Sequence, residues 1–201
     1  MRLALIGVVA MLVSCSGGSS STTSEASSTT SEASFTSTVT EIELAYKVGD
    51  TGPGGGIIVY VDKAGFNNSS GDDTSIGAMC LTGTCHYLEM APTDLEDGYT
   101  STEAINAAEN YSTATADDWV LPSKDALNAM CKYAFGDTVN SRCNNRGVGG
   151  LSNSVGGFSD FYYWSSSQRD SGDAWLQNFD GGNQYNGSGG APYYVRPVRA
   201  F

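Results

Sequence analysis

Histidine occurs once, at His86, and Lys and Arg together number 10 against 22 Asp and Glu, a formal charge of -12. A Ser-His-Asp relay or a histidine-rich metal centre has almost no material to draw on. The few bases are scattered, whereas phosphate recognition needs clustered Lys and Arg, so nucleic acid is not an expected partner. Sulfated polysaccharide meets the same repulsion. No Gly-Lys-Ser/Thr follows the run Gly52-Pro53-Gly54-Gly55-Gly56, which is therefore not a phosphate loop, and the run is too short for a collagen triple helix. No stretch reaches the roughly 20 apolar residues of a membrane-spanning helix. The C-x-x-C pairs of zinc sites are also missing.

What is present begins with export. Leu12-Val13-Ser14-Cys15 closes a short apolar stretch carrying one basic residue, Arg2, the pattern of a bacterial lipoprotein signal peptide with Cys15 as its lipidation site. Loss of that peptide removes Arg2 and no acid, taking the charge from -12 to -13. Acylation adds about 0.8 kcal/mol of membrane affinity per buried methylene, so the lipid anchor is the expected and sole membrane contact. Residues 16–44 are nearly all Ser, Thr, Gly, Ala and Glu, with Thr22-Thr23-Ser24-Glu25-Ala26-Ser27 repeated as Thr29-Thr30-Ser31-Glu32-Ala33-Ser34. Such a segment has too little apolar surface to offset the entropy of ordering it and reads as a disordered tether. Ser16 is not the aspartate of an inner-membrane retention signal, so in a two-membrane bacterium the outer membrane or cell surface is the expected location.

Residues 45–201 are the right size for one globular domain. Its four cysteines, Cys80, Cys85, Cys131 and Cys143, suggest disulfides in an exported chain. Three pairings exist, of which proximity favours Cys80–Cys85 with Cys131–Cys143. The β-branched run Ile57-Ile58-Val59-Tyr60-Val61 predicts a strand after the glycine-rich turn. Thr100-Ser101-Thr102-Glu103 offers a capping box to a helix with Ala104, Ile105, Ala108 and Tyr111 on one face. Ser123 can cap a second, with Leu127, Met130, Cys131 and Ala134 as its buried stripe. Tyr162–Ser166, Ala174–Phe179 and Tyr193–Arg199 read as short antiparallel strands. Trp119, Trp164, Trp175 and Phe179 are expected in the core, and Arg196 and Arg199 are expected to hold the terminal strand.

The opening turn and strand, Trp119-Val120-Leu121-Pro122-Ser123, Tyr163-Trp164-Ser165-Ser166-Ser167, Ala174-Trp175 with Phe179-Asp180-Gly181-Gly182, and Val195-Arg196-Pro197-Val198-Arg199 resemble, in order and spacing, the C-terminal domain of the legionella collagen-like adhesin. That resemblance extends over nearly all of 46–201. It implies an α+β, C-type-lectin-like fold, with two helices beside a small twisted antiparallel sheet whose N- and C-terminal strands pair. It also implies a bacterial surface domain.

No catalytic constellation is legible, and the chain is read as a binder, not an enzyme. The C-terminal region is dense in Tyr, Trp, Asn, Gln, Asp, Ser and Gly, the composition of a recognition surface. With the aromatics assigned to the core, the expected ligand-binding residues are Gln168, Asp170, Asp173, Asn183, Gln184, Tyr185 and Asn186, read as loop positions. The expected partner is an extracellular glycan or protein, in an adhesive role. Asp180 and Asn183 are candidate calcium ligands, since carboxylate and amide oxygens suit a hard cation; no other cofactor is implied. Two other functional classes fit less of the sequence: a binding protein diversified by a retroelement, and an extracellular enzyme of the sulfatase-modifying type, whose C-terminal reactive cysteines are absent from 144–201.

Overall fold

The β-branched run after the glycine-rich turn forms β1 (Ile57–Phe66) in the computed structural model, which describes residues 43–96, 98–138, 141–143 and 155–201. The signal peptide, Cys15 and all but the last two residues of the tether lie outside the described residues. Glu41–Phe201 forms one compact unit. After β1 come a 3-10 helix (Ile76–Met79), β2 (Cys85–Met90), α1 (Ser101–Glu109) and α2 (Lys124–Phe135). Four strands complete the unit: β3 (Tyr162–Gln168), β4 (Asp173–Asn178), β5 (Gln184–Ser188) and β6 (Val198–Ala200).

Both helices are set by the signals read from sequence. The Thr100 hydroxyl accepts from Glu103 N while Glu103 Oε2 accepts from Thr100 N at 2.9 Å, a reciprocal capping box. Ser123 Oγ accepts from Ala126 N and donates to Ser75 O at 2.7 Å, tying the start of α2 to the turn before the 3-10 helix. Gly136, at φ 64°, ends α2 in the left-handed conformation that glycine takes at least cost. The predicted stripe Leu127, Met130, Cys131 and Ala134 is fully buried.

The strands form two three-stranded antiparallel sheets, ordered β1-β2-β6 and β3-β4-β5, where one sheet was expected. The expected pairing of first and last strands is also corrected. β1 and β6 share a sheet, but β2 lies between them, with Met90 opposite both Ile57 and Val198. The reason is hydrogen bonding: β2 is buried along almost its whole length, and a buried strand needs partners on both edges. Tyr193 and Tyr194, read as part of a strand, make only isolated bridges to Tyr99 and Tyr163.

Alternation along β2 builds two sides of the interior. Leu88 and Met90 join α2, Tyr163, Phe158 and Phe179 in the larger cluster. Glu89 faces the glycine-rich turn, accepting from Gly54 N at 3.1 Å and Gly56 N at 2.7 Å. A Cβ on Gly52 would stand 2.4 Å from the Glu89 carboxyl carbon, and one on Gly56 would stand 2.1 Å from the Met90 carbonyl oxygen. The glycines are thus spaces for a buried carboxylate and a strand backbone. The smaller cluster packs Ala104 and Ala108 of α1 against Leu121, Trp164, Ala174, Leu176 and Val195. Disulfides join Cys80 to Cys85 and Cys131 to Cys143, the pairing that proximity favoured.

Arg196 and Arg199 serve the structural role expected of them. Arg196, fully buried, binds Asp94 at 2.6 Å and donates to Gly156 O and Gly157 O at 2.8 and 2.9 Å. Asp94 also accepts from the Tyr163 hydroxyl at 2.6 Å. Burial, reinforced by the Asp94 carboxylate, pushes that phenol far above the usual tyrosine range, so it stays a donor.

Candidate functional site

The sheet β3-β4-β5 carries all but two of the residues expected to bind ligand. Gln168 ends β3, Asp173 begins β4, and Gln184, Tyr185 and Asn186 lie within β5, where loops were expected. Only Asp170 and Asn183 sit in turns. The sequence Gln-Tyr-Asn-Gly-Ser has little intrinsic strand preference. It is made a strand by its hairpin register with β4, which places Trp175 opposite Asn186, Leu176 opposite Tyr185 and Gln177 opposite Gln184.

Because strand side chains alternate, that register divides the expected residues between two faces. One row, Tyr163-Gln177-Gln184, turns toward α2, and there Gln184 Nε2 donates to Lys124 O at 2.8 Å. The same face holds Trp175 and Asn186. Trp175, expected in the core, is only partly buried, and the Lys124 ammonium lies over its ring at 4.0 Å. Nearby, the β3–β4 turn is organised by Asp170, whose carboxylate accepts from Gly172 N and Asp173 N at 2.9 and 3.0 Å. Those backbone donors hold Asp170 below the usual aspartate range. Asp173 in turn accepts from Asn186 Nδ2 at 3.4 Å. Gln184 and Asp170 are therefore engaged in positioning neighbouring backbone.

The opposite row, Trp164-Leu176-Tyr185, faces the α1 side. Its inner half is closed by Ala104 and Ala108, and Trp164 Nε1 donates to Tyr99 O at 2.7 Å. Its outer half is open and aromatic. Tyr162 contacts Tyr185 with ring centroids 5.9 Å apart, Tyr193 at 5.4 Å and Phe161 at 5.6 Å. Tyr193 packs in turn edge-on to the buried Trp164 at 5.1 Å, which fixes the group to the core. Phe161 and Tyr185 are each 45% exposed. The hydroxyls of Tyr162, Tyr185 and Tyr193 have no hydrogen-bond partner among the described residues.

Of this aromatic face, the sequence reading placed only Tyr185 in the site. Tyr162 and Tyr193 were missed because they were read as strand residues, and Phe161 because it closes a glycine-, asparagine- and serine-rich stretch read as a loop. Five aromatics within Phe158–Trp164 could have signalled the surplus, since the buried positions of α1 are two alanines, Ala104 and Ala108.

Asp180 and Asn183 lie in the β4–β5 turn. Asp180 N and Gly181 N donate to Asn178 Oδ1 at 2.6 and 3.0 Å, and the Asn183 carbonyl accepts from Asn178 N at 2.9 Å. Among the described residues, no group of three or more His, Cys, Asp or Glu is placed to hold a metal ion. No helix of the described residues is long and apolar enough to cross a membrane.

No curated protein matches the sequence. The family model described as the Lcl C-terminal domain matches residues 78–199, from the 3-10 helix into β6, leaving β1 and its glycine-rich turn outside the match. That span is more than half of the chain and contains both helices and the whole aromatic face, so the chain belongs to the Lcl C-terminal domain family, a bacterial surface-associated group.

Proposed function

We propose that the protein is a lipid-anchored binding module of the bacterial cell surface, held to the outer membrane through Cys15 and displaying on its tether a C-type-lectin-like domain that binds an extracellular ligand, glycan or protein, in adhesion. The observation that carries this reading is the open aromatic face. Soluble domains bury rings where they can, yet Phe161 and Tyr185 stay 45% exposed in a contiguous group of four. Large rings with polar tips give contact area at low entropic cost, which is what a recognition surface requires. A binder is supported over a sulfatase-modifying enzyme by the pairing of all four domain cysteines, which leaves no thiol for such chemistry.

Two measurements test the reading. The wild-type protein partitions with membranes and carries acyl mass on its N-terminal peptide, and Cys15→Ala releases it; an unmodified peptide and unchanged partition would sink the anchor. On glycan and protein arrays, a ligand bound by the wild type is lost by the Phe161→Ala/Tyr185→Ala variant. A ligand retained by the folded variant would move the site off this face.

A further inference from the structure

We infer that the ligand of the aromatic face is an uncharged, pyranose-containing glycan lying along Phe161, Tyr162, Tyr185 and Tyr193. This rests on reading that face as the ligand surface and adds the class of partner. Three observations select it. The first is extent. Aromatic side chains bury about 150–250 Å², so two rings 45% exposed and two more deeply buried ones offer at most about 300 Å², well short of the roughly 800 Å² per partner of a standard protein interface. The second is charge. Residues 158–195, which build this sheet and its flanks, contain one base, Arg169 in the β3–β4 turn, against four aspartates, of which Asp160 and Asp180 lie together beside Phe161. Beside Phe161, Asp160 has its carboxyl raised by desolvation and then by the charge of Asp180, so the rim is crowded with acid and repels sulfate or uronate groups. The third is hydrogen bonding. Three phenols with no partner among the described residues present donors and acceptors to sugar hydroxyls. The exposed parts of Phe161 and Tyr185 meanwhile suit the apolar C–H faces of pyranoses.

The test uses detergent-solubilised full-length protein and isothermal titration with gluco-, manno- and galacto-oligosaccharides as uncharged probes and heparin as the sulfated one. At least one uncharged probe binds and heparin does not. Tyr185→Ala weakens that binding tenfold or more, Tyr185→Phe less, and Asn186→Ala, on the opposite face, leaves it unchanged, with all three variants melting as the wild type does. Binding of heparin alone, or of no probe, overturns the uncharged-glycan class. If a protein ligand is then lost with Tyr185→Ala, the face stands and only the class falls. Uncharged-glycan binding that survives Phe161→Ala/Tyr185→Ala in a folded protein overturns the face itself.

Discussion

Glu89 and Arg199 face each other across β2 and β6 with Oε2 and Nη1 3.0 Å apart, the carboxylate fully buried and the guanidinium reaching outward to Asp118. A buried carboxylate is tolerable only when its charge and lone pairs are met. Here Gly54 N, Gly56 N and Arg199 meet them. The contact binds the N-terminal turn, the central strand and the last strand into one unit, and it explains why the turn is built of glycine.

Gly56→Ala forces a Cβ to within 2.1 Å of the Met90 carbonyl oxygen, a backbone atom that cannot swing aside. The expected loss is about 3 kcal/mol or more, at the top of the range for overpacking. Gly55, at φ 82° with open space around its Cβ position, should lose only about 1–2 kcal/mol on Ala substitution, from backbone strain alone. Urea titrations rank the two; equal losses would contradict the cradle geometry.

Arg196→Met breaks a fully buried ion pair and strips donors from Gly156 O and Gly157 O. Removing one partner of such a pair costs about 3–5 kcal/mol. Asp94 keeps its bond from Tyr163, so adding Asp94→Asn to Arg196→Met should cost less than the sum of the single changes, because the uncompensated charge is gone. A strictly additive double-mutant cycle would show that the two do not act together.

The two tryptophans of the β3-β4-β5 sheet should separate cleanly. Trp164, fully buried and bonded to Tyr99 O, is expected to cost about 3–5 kcal/mol on truncation to Ala. Trp175, partly buried with the Lys124 ammonium over its ring, should cost about 1–2 kcal/mol, from partial burial and a cation–π contact. Chemical denaturation of the two variants measures the difference.

Asp118 gives stability a defined acid limb. Its hydrogen bond from Arg199 holds the carboxyl below the ordinary aspartate value of 3.8. A depressed folded value means the contribution is fully present above 3.8 and is lost as pH falls below it through the folded value. The urea midpoint should therefore drop across that acid window, and Asp118→Asn should flatten the drop; an unchanged acid limb in the variant would remove Asp118 from the linkage. Because the pair is partly exposed, salt should weaken the effect.

Local chemistry made much of the fold legible. Thr100 and Ser123 cap where their side-chain oxygens can meet free amide hydrogens, and the spacing of Leu127, Met130, Cys131 and Ala134 follows from helical geometry alone. The short cysteine separations were legible for the same reason. Trp175 was not, because its identity does not disclose that its face of the central strand is covered there by Lys124 and leaves the ring only partly buried. β5 was hidden because, of its five residues, only Tyr185 favours a strand.

The sequence by itself implied the α+β class through its resemblance and favoured the bridge partners by proximity; it determined both helices with their caps and the polar, acidic, aromatic-rich character of the C-terminal region. Those properties depend on residues within a few positions of one another. Tertiary structure alone decided that the strands divide into two sheets, that Glu89 fills the glycine-rich turn, and that Tyr185 stands with Phe161, Tyr162 and Tyr193 while Asn186 and Gln184 face away. Each of these follows from a register between distant segments. Because side chains alternate along a strand, a shift of one residue in that register would exchange the two faces and with them the binding surface.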